Sequence, residues 1–188
     1  AALFDRTTSG KGQVVDAAIL DGVTTMMSFF DGLTATGQLS LDRTDNLLGG
    51  AAPYYRTYLC RDGREMSVGA LEPPFFAELI ARLDLPEFAD GQAPERWAAL
   101  EAALTARFAE HDQAHWIRLF EGSDACVAPV LNLAEAKAHP HLCARETYVE
   151  CNGLPQAAPS PRFSRTPGAA RSDAGEDGAA MIARWQEA

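Results

Sequence analysis

GGAAPYYRTYLCRDGREMSVGALEPPFF, Gly49–Phe76, is the stretch from which the fold of this chain can be read. Two strand-like runs, Tyr54–Cys60 and Arg64–Ala70, flank Asp62-Gly63, a pair suited to the positive φ angles of a tight hairpin turn. Pro73 and Pro74 cannot continue a sheet ladder, and proline suits the first turn of a helix, where its missing N–H has no partner to lose. Glu72 therefore falls at a strand-to-helix corner, where the positive end of the helix dipole favours its charge. A carboxylate on a rigid corner can act as a general base, and it can equally be an ordinary helix-start acid. The residues by themselves leave both open.

The totals narrow the class. A chain of 188 residues makes one domain of ordinary size, or a small domain plus pieces of another. Its 47% hydrophobic content is enough for a core, and a formal net charge of -10 with no basic stripe argues against nucleic acid. Apolar runs are broken by Asp or Gly long before the roughly 20 residues of a membrane span, and no secretory signal opens the sequence. The four cysteines, Cys60, Cys126, Cys143 and Cys151, have no CxxC spacing and read as reduced thiols of a cytoplasmic protein. The opening Ala1-Ala2-Leu3-Phe4 reads as the end of a helix that exits at Gly10 or Gly12, so further sequence is expected upstream.

Outward from the hairpin, Gln13–Ile19 is a short β-rich run expected to form a buried strand. Val23–Leu33 carries Val23, Met26, Met27, Phe30 and Leu33 at helical spacing, as a core or interface helix would. Thr34–Gly50 is a polar, turn-rich linker of the length that is usually functional or mobile. Beyond Glu72, Pro74–Leu83 forms a helix with Phe75, Leu79, Ile80 and Leu83 on one side. Glu95–Ala109 forms another with Trp97, Leu100, Leu104 and Phe108, and Asp112 is placed to cap a third through Phe120. Cys126–Asn132 is extended, Leu133–His139 is a short helix stopped by Pro140, and Tyr148–Cys151 is a strand. Pro155–Pro167 is extended, and Glu176–Glu187 is a helix with Met181, Ile182 and Trp185 together.

Acid-base candidates are Glu72, His111, His115, His139, His141 and the tyrosines beside the hairpin. His111 and His115 have an HxxxH spacing, which is a metal signature only when further ligands join it, and no metal is expected. Tyr54 and Tyr55 point to opposite sides of a strand, one toward the core and one toward an opening. No P-loop, GxGxxG or GxSxG is present.

Four blocks in order, GKGQVVDAAILDG (Gly10–Gly22), Gly49–Phe76, HDQAHWIRLFEGSDACVAPVLNLAEA (His111–Ala136) and APSPRFSRTPG (Ala158–Gly168), resemble the C-terminal half of the α-methylacyl-CoA racemases. These belong to the family III CoA-transferase superfamily. The resemblance implies an α/β chain: an α+β small domain over 36–149, with pieces of a Rossmann-like large domain at 1–35 and 150–188. It implies an interlocked homodimer, or assembly with an N-terminal half. It also implies an acyl-CoA thioester substrate with no cofactor beyond the coenzyme A that the substrate carries, and no membrane or nucleic-acid partner.

The implied chemistry interconverts (2R)- and (2S)-2-methylacyl-CoA by removing and returning the α-proton. Of the catalytic residues the resemblance brings, only the glutamate has a match here, Glu72, which would orient a histidine and stabilise its imidazolium. Tyr55 and Leu71 match the acyl site. The catalytic histidine and aspartate and the arginine-bearing nucleotide site would precede Ala1, and none of His111, His115, His139 or His141 takes their place. The chain is therefore expected to be catalytically incomplete alone. CoA transfer between carboxylic acids, or a non-catalytic half-protein that assembles with a CoA enzyme, are the other readings. Phe75, Phe76 and Met66 mark an apolar neighbourhood that fits an acyl site or a core.

Overall fold

In the computed structural model, which describes residues 1–42, 45–170 and 177–186, the hairpin stands at the centre of the first of two compact units, Ala1–Pro129. Strand β1 (Tyr55–Leu59) pairs antiparallel with β2 (Glu65–Gly69), placing Tyr55 opposite Gly69 and Tyr58 opposite Met66. The turn has the three residues, 61–63, that the runs Tyr54–Cys60 and Arg64–Ala70 leave between them, but Asp62 does not share the positive φ expected of the pair. Gly63 donates to the Cys60 carbonyl (2.9 Å) and Gly63 alone takes positive φ (76°), giving the three-residue loop with a glycine bulge. Asp62 stabilises it by accepting from the Arg64 backbone N–H at 3.2 Å. A short third strand, β3 (Val127–Pro129), pairs antiparallel on the other side of β2. Pro129 is tolerated because β3 is an edge.

Two further helices of this unit precede the sheet, α1 (Ala2–Ser9) and α2 (Ile19–Ala35). Three follow the hairpin, α3 (Pro73–Arg82), α4 (Trp97–Phe108) and α5 (Gln113–Phe120). The core gathers Tyr58, Met66 and Val68 from the sheet with Phe76, Leu79, Leu100, Leu104, Phe108, Trp116 and Phe120 from α3–α5. Phe76, rather than Phe75, is the buried member of its pair, because the helix begins at Pro73. Phe76 and Met66 thus belong to the core, the bland side of their sequence reading. Gly91 lies tightly against Phe76: a Cβ there would sit 2.9 Å from the Phe88 carbonyl oxygen and 3.1 Å from Phe76 Cζ, so only glycine lets the α3–α4 loop close.

The cap of α5 is a correction. Asp112 holds the N-cap position, but its side chain makes no capping bond and pairs instead with Arg61 Nε at 2.9 Å. The guanidinium holds the Asp112 carboxyl below its usual range. The cap comes from the hairpin turn, where Asp62 Oδ2 accepts from the Gln113 N–H at 3.2 Å. One carboxylate thus serves the turn and the helix. Replacing it, Asp62→Ala, is expected to cost about 1 kcal/mol and lower the melting temperature by about 2–4 °C, with Asp62→Asn, whose amide oxygen still accepts, recovering part of the loss, measured by thermal unfolding. An unchanged midpoint for Asp62→Ala would show that the bond to Gln113 carries no weight.

The strand expected at Gln13–Ile19 does not form. Residues 11–18 are irregular, Ile19 opens α2, and Val14 is 95% exposed. A β-rich run becomes a strand only beside another strand that satisfies its N–H and C=O groups, and among the described residues none lies there. The helix expected at Val23–Leu33 is present and longer, as α2, yet none of its residues is buried.

The second unit, Val130–Ala188, holds α6 (Leu133–Ala138), α7 (Pro140–Ala144), a two-stranded antiparallel sheet and α8 (Gly178–Gln186). Asn132 caps α6 in a full capping box with Glu135. Pro140 ends α6 as expected, and also occupies the first position of α7. Strands β4 (Tyr148–Cys151) and β5 (Leu154–Ala157) are joined by Asn152-Gly153, both at positive φ. The expected C-terminal helix is α8, while Glu176 and Glu187 lie outside the described residues.

Candidate functional site

Glu72 holds the N-cap position of α3 with extended backbone (φ -78°, ψ 140°), at the open end of the hairpin. Its backbone is fixed on every side. Ala70 donates to the Tyr54 carbonyl (3.0 Å), Phe76 donates to the Glu72 carbonyl (3.0 Å), and Gln92 Nε2 donates to the Leu71 carbonyl at 2.8 Å. Trp97 Nε1 in turn donates to the Gln92 carbonyl at 3.0 Å, anchoring that support in α4. The side chain itself is exposed, and among the described residues it makes no hydrogen bond and no ion pair. Pro74 at the second position of α3 has no N–H to offer it, and the carboxylate sits at the positive end of the helix dipole.

Leu71 precedes Glu72 in the chain, Gly69 ends β2 opposite Tyr55, and the Glu72 charge is felt at Cys126. Tyr54 is buried in the core against Phe76 and Trp97, and Tyr55, on the opposite side of the strand, is half-buried over Gly69. Leu71 is half-buried against the core edge. Cys126 enters through the segment before β3. Its carbonyl accepts from the Gly69 N–H at 2.9 Å, and the preceding Asp124 N–H is held by Glu78 Oε2 at 3.1 Å. Cys126 is exposed, yet local desolvation pushes its thiol up, and the charges of Glu72, Asp124 and Glu78 push it further. Each of these effects disfavours the thiolate.

The histidines fall elsewhere. His111 and His115 stack with ring centroids 3.9 Å apart at the turn end of the hairpin, where Arg61 donates to the His111 carbonyl. The length of β2, roughly 17 Å at about 3.4 Å per residue, separates that end from Glu72. His139 and His141 belong to the second unit, at the start of α7. A cleft of 530 Å³ borders Arg56, Trp97 and Glu101, and one of 500 Å³ borders Phe29, Phe30, Leu33, Leu47 and Leu48. Neither includes Glu72 or Tyr55, and the Glu72 side chain is exposed. Sequence reasoning missed Cys126 and Gly69 at this corner. A glycine inside a strand was the available signal for the second.

The chain belongs to CoA-transferase family III, whose sequence pattern matches residues 1–179. It is 38% identical over 169 residues to the mouse alpha-methylacyl-CoA racemase and 39% identical over 181 residues to the human one. Each match covers 88% of this chain but only 44% and 47% of the relative, so the chain spans about half the length of these curated relatives. A crystal structure of a CAIB/BAIF family protein from Brucella suis superposes with a TM-score of 0.68 at 24% identity, covering 97% of this chain and 50% of that one. The mixed helical and antiparallel fold described above is therefore part of the family III fold.

Proposed function

We propose that this chain is part of a 2-methylacyl-CoA racemase, an isomerase that interconverts (2R)- and (2S)-2-methylacyl-CoA thioesters. The observation that carries the reading is Glu72, a carboxylate on a fixed backbone with no partner among the described residues, in a chain 38–39% identical to racemases. A thioester α-proton is weakly acidic. Its removal needs a base on one face, an acid on the other, and stabilisation of the enolate oxygen. Glu72 would accept the N–H of a histidine supplied from beyond these 188 residues, holding one tautomer and favouring its imidazolium after proton transfer. Tyr55 and Leu71 would line the acyl part of the thioester, and the coenzyme A travels with the substrate.

The partner in this reading is an N-terminal half, in the same polypeptide or as a separate chain, within a homodimer. Its support is the uncovered apolar surface of α2, where Ile19 is 86%, Leu20 75% and Met26 77% exposed. A helix this apolar is stable in water only when covered. No helix among the described residues is long and apolar enough to cross a membrane. The cytoplasmic placement in this reading rests on the four free cysteines. The division into a small domain at 36–149 between two contributions to a large domain, 1–35 and 150–188, belongs to the same proposal.

The family description itself favours one other reading, transfer of CoA between carboxylic acids. The two separate in one experiment. The full-length protein is incubated in deuterated water with an enantiopure 2-methylacyl-CoA and a free carboxylic acid. The expected result is loss of optical purity with one deuterium gained at the α-carbon. Movement of CoA to the free acid without α-exchange would overturn the racemase reading.

A further inference from the structure

Gly69 ends β2 between Tyr55 and Cys126, at a position where sheets ordinarily carry β-branched or aromatic side chains. Two structural reasons for glycine are missing. Its φ is not in the left-handed region, so the backbone does not demand it. A Cβ there would lie 3.8 Å from the Cys126 carbonyl oxygen and 3.9 Å from Tyr55 Cε2, ordinary contact distances, so close packing does not demand it either. Gly91, where a Cβ would come within 2.9 Å of a backbone oxygen, is the contrasting case. Glycine in a strand goes with a bulge, a bend or a close approach to the backbone, and the register through Tyr55 and Gly69 is unbroken by any bulge.

What approaches is set by the neighbours. One wall is the Tyr55 ring, the cross-strand partner of Gly69, and the other is the Cys126 backbone, tied to the Gly69 N–H at 2.9 Å. Glu72 follows three residues later, and its charge is felt at Cys126. We infer that Gly69 is a specificity-determining residue: the side-chain-free notch between Tyr55 and Cys126 admits the branch on the α-carbon of the acyl thioester. This rests on the racemase reading and adds to it. Alanine puts one methyl in the notch at contact distance. A β-branched residue fills the notch and displaces the Tyr55 ring.

The test uses the full-length protein and its Gly69→Ala, Gly69→Ser, Gly69→Val and Gly69→Val/Tyr55→Ala variants. The readout is α-proton exchange in deuterated water for a 2-methylacyl-CoA and for the unbranched acyl-CoA of the same chain length. The selectivity for the branched substrate, as a ratio of kcat/KM values, is expected to fall about threefold for Ala and Ser. It falls about tenfold or more for Val, chiefly through KM of the branched substrate. Removing the Tyr55 ring in the double variant restores most of that ratio. Ala and Ser decide the question where the Val variant does not fold. Equal losses on both substrates, or an unchanged ratio throughout the series, would overturn the notch while leaving the racemase reading standing. A wild type that transfers CoA without exchanging the α-proton overturns both.

Discussion

Glu72→Gln in the full-length protein is expected to slow α-proton exchange of a 2-methylacyl-CoA by about a hundredfold, within the range that a positioned acid-base partner supplies. The same substitution is expected to leave stability within about 0.5 kcal/mol, because the side chain is exposed and makes no hydrogen bond within the described residues. The pairing of a large kinetic loss with no structural loss is what a carboxylate held in readiness for another group predicts. In the proposed positioning role, Glu72 would also have a signature in the pH profile. A carboxylate beside a histidine favours the imidazolium and raises the pH at which the histidine becomes a free base. The glutamine variant should therefore move the acidic limb of kcat/KM toward lower pH while lowering its plateau. Glu72→Asp, which keeps the charge on a shorter arm, should recover part of the rate and return the limb. A Gln variant with wild-type exchange, or with a slower rate and an unmoved limb, would remove Glu72 from the acid-base pair.

The central hairpin was legible because its signals are local: alternating strands, Asp-Gly, then two prolines within a few residues of one another. Where the reading went astray, a distant group decided the outcome. Asp112 has the sequence of a cap, but Arg61 draws its carboxylate away and Asp62, 51 positions before Gln113, caps instead. Gln13–Ile19 has strand composition and no neighbouring strand to pair with. The second hairpin was equally local and still passed over. Asn152-Gly153 is the strongest two-residue turn signal in the chain, masked by the prolines that follow it. At the candidate site, Glu72 could be named from its strand-to-helix corner, and Tyr55 from the family resemblance. Cys126 reaches Gly69 only through the pairing of β3, which no local pattern announces.

Phe108→Ala is expected to be the most destabilising single change in the chain, at about 3–5 kcal/mol, a large share of a typical domain's stability. Phe108 is fully buried at the meeting point of three aromatic rings. Tyr58 stacks on it at 5.3 Å, Phe120 at 6.4 Å, and Trp116 meets it edge-on at 5.1 Å. Its backbone carbonyl also accepts from Trp116 Nε1 at 3.0 Å, so the surrounding rings are pinned and cannot collapse into the space the ring leaves. Phe108→Leu refills part of that space and should cost well under half as much, measured by denaturant unfolding. A loss below about 1.5 kcal/mol for alanine would show that the site relaxes and that the core is centred elsewhere. The corner that carries Glu72 is held by a different aromatic group, Tyr54 with Phe76 and Trp97. Below its melting temperature the Phe108→Ala protein should therefore keep its α-proton exchange within about threefold while losing stability, the converse of Glu72→Gln. A rate that falls in step with the stability of the core would mean instead that the position of the carboxylate is set by the whole sheet, not by its own corner.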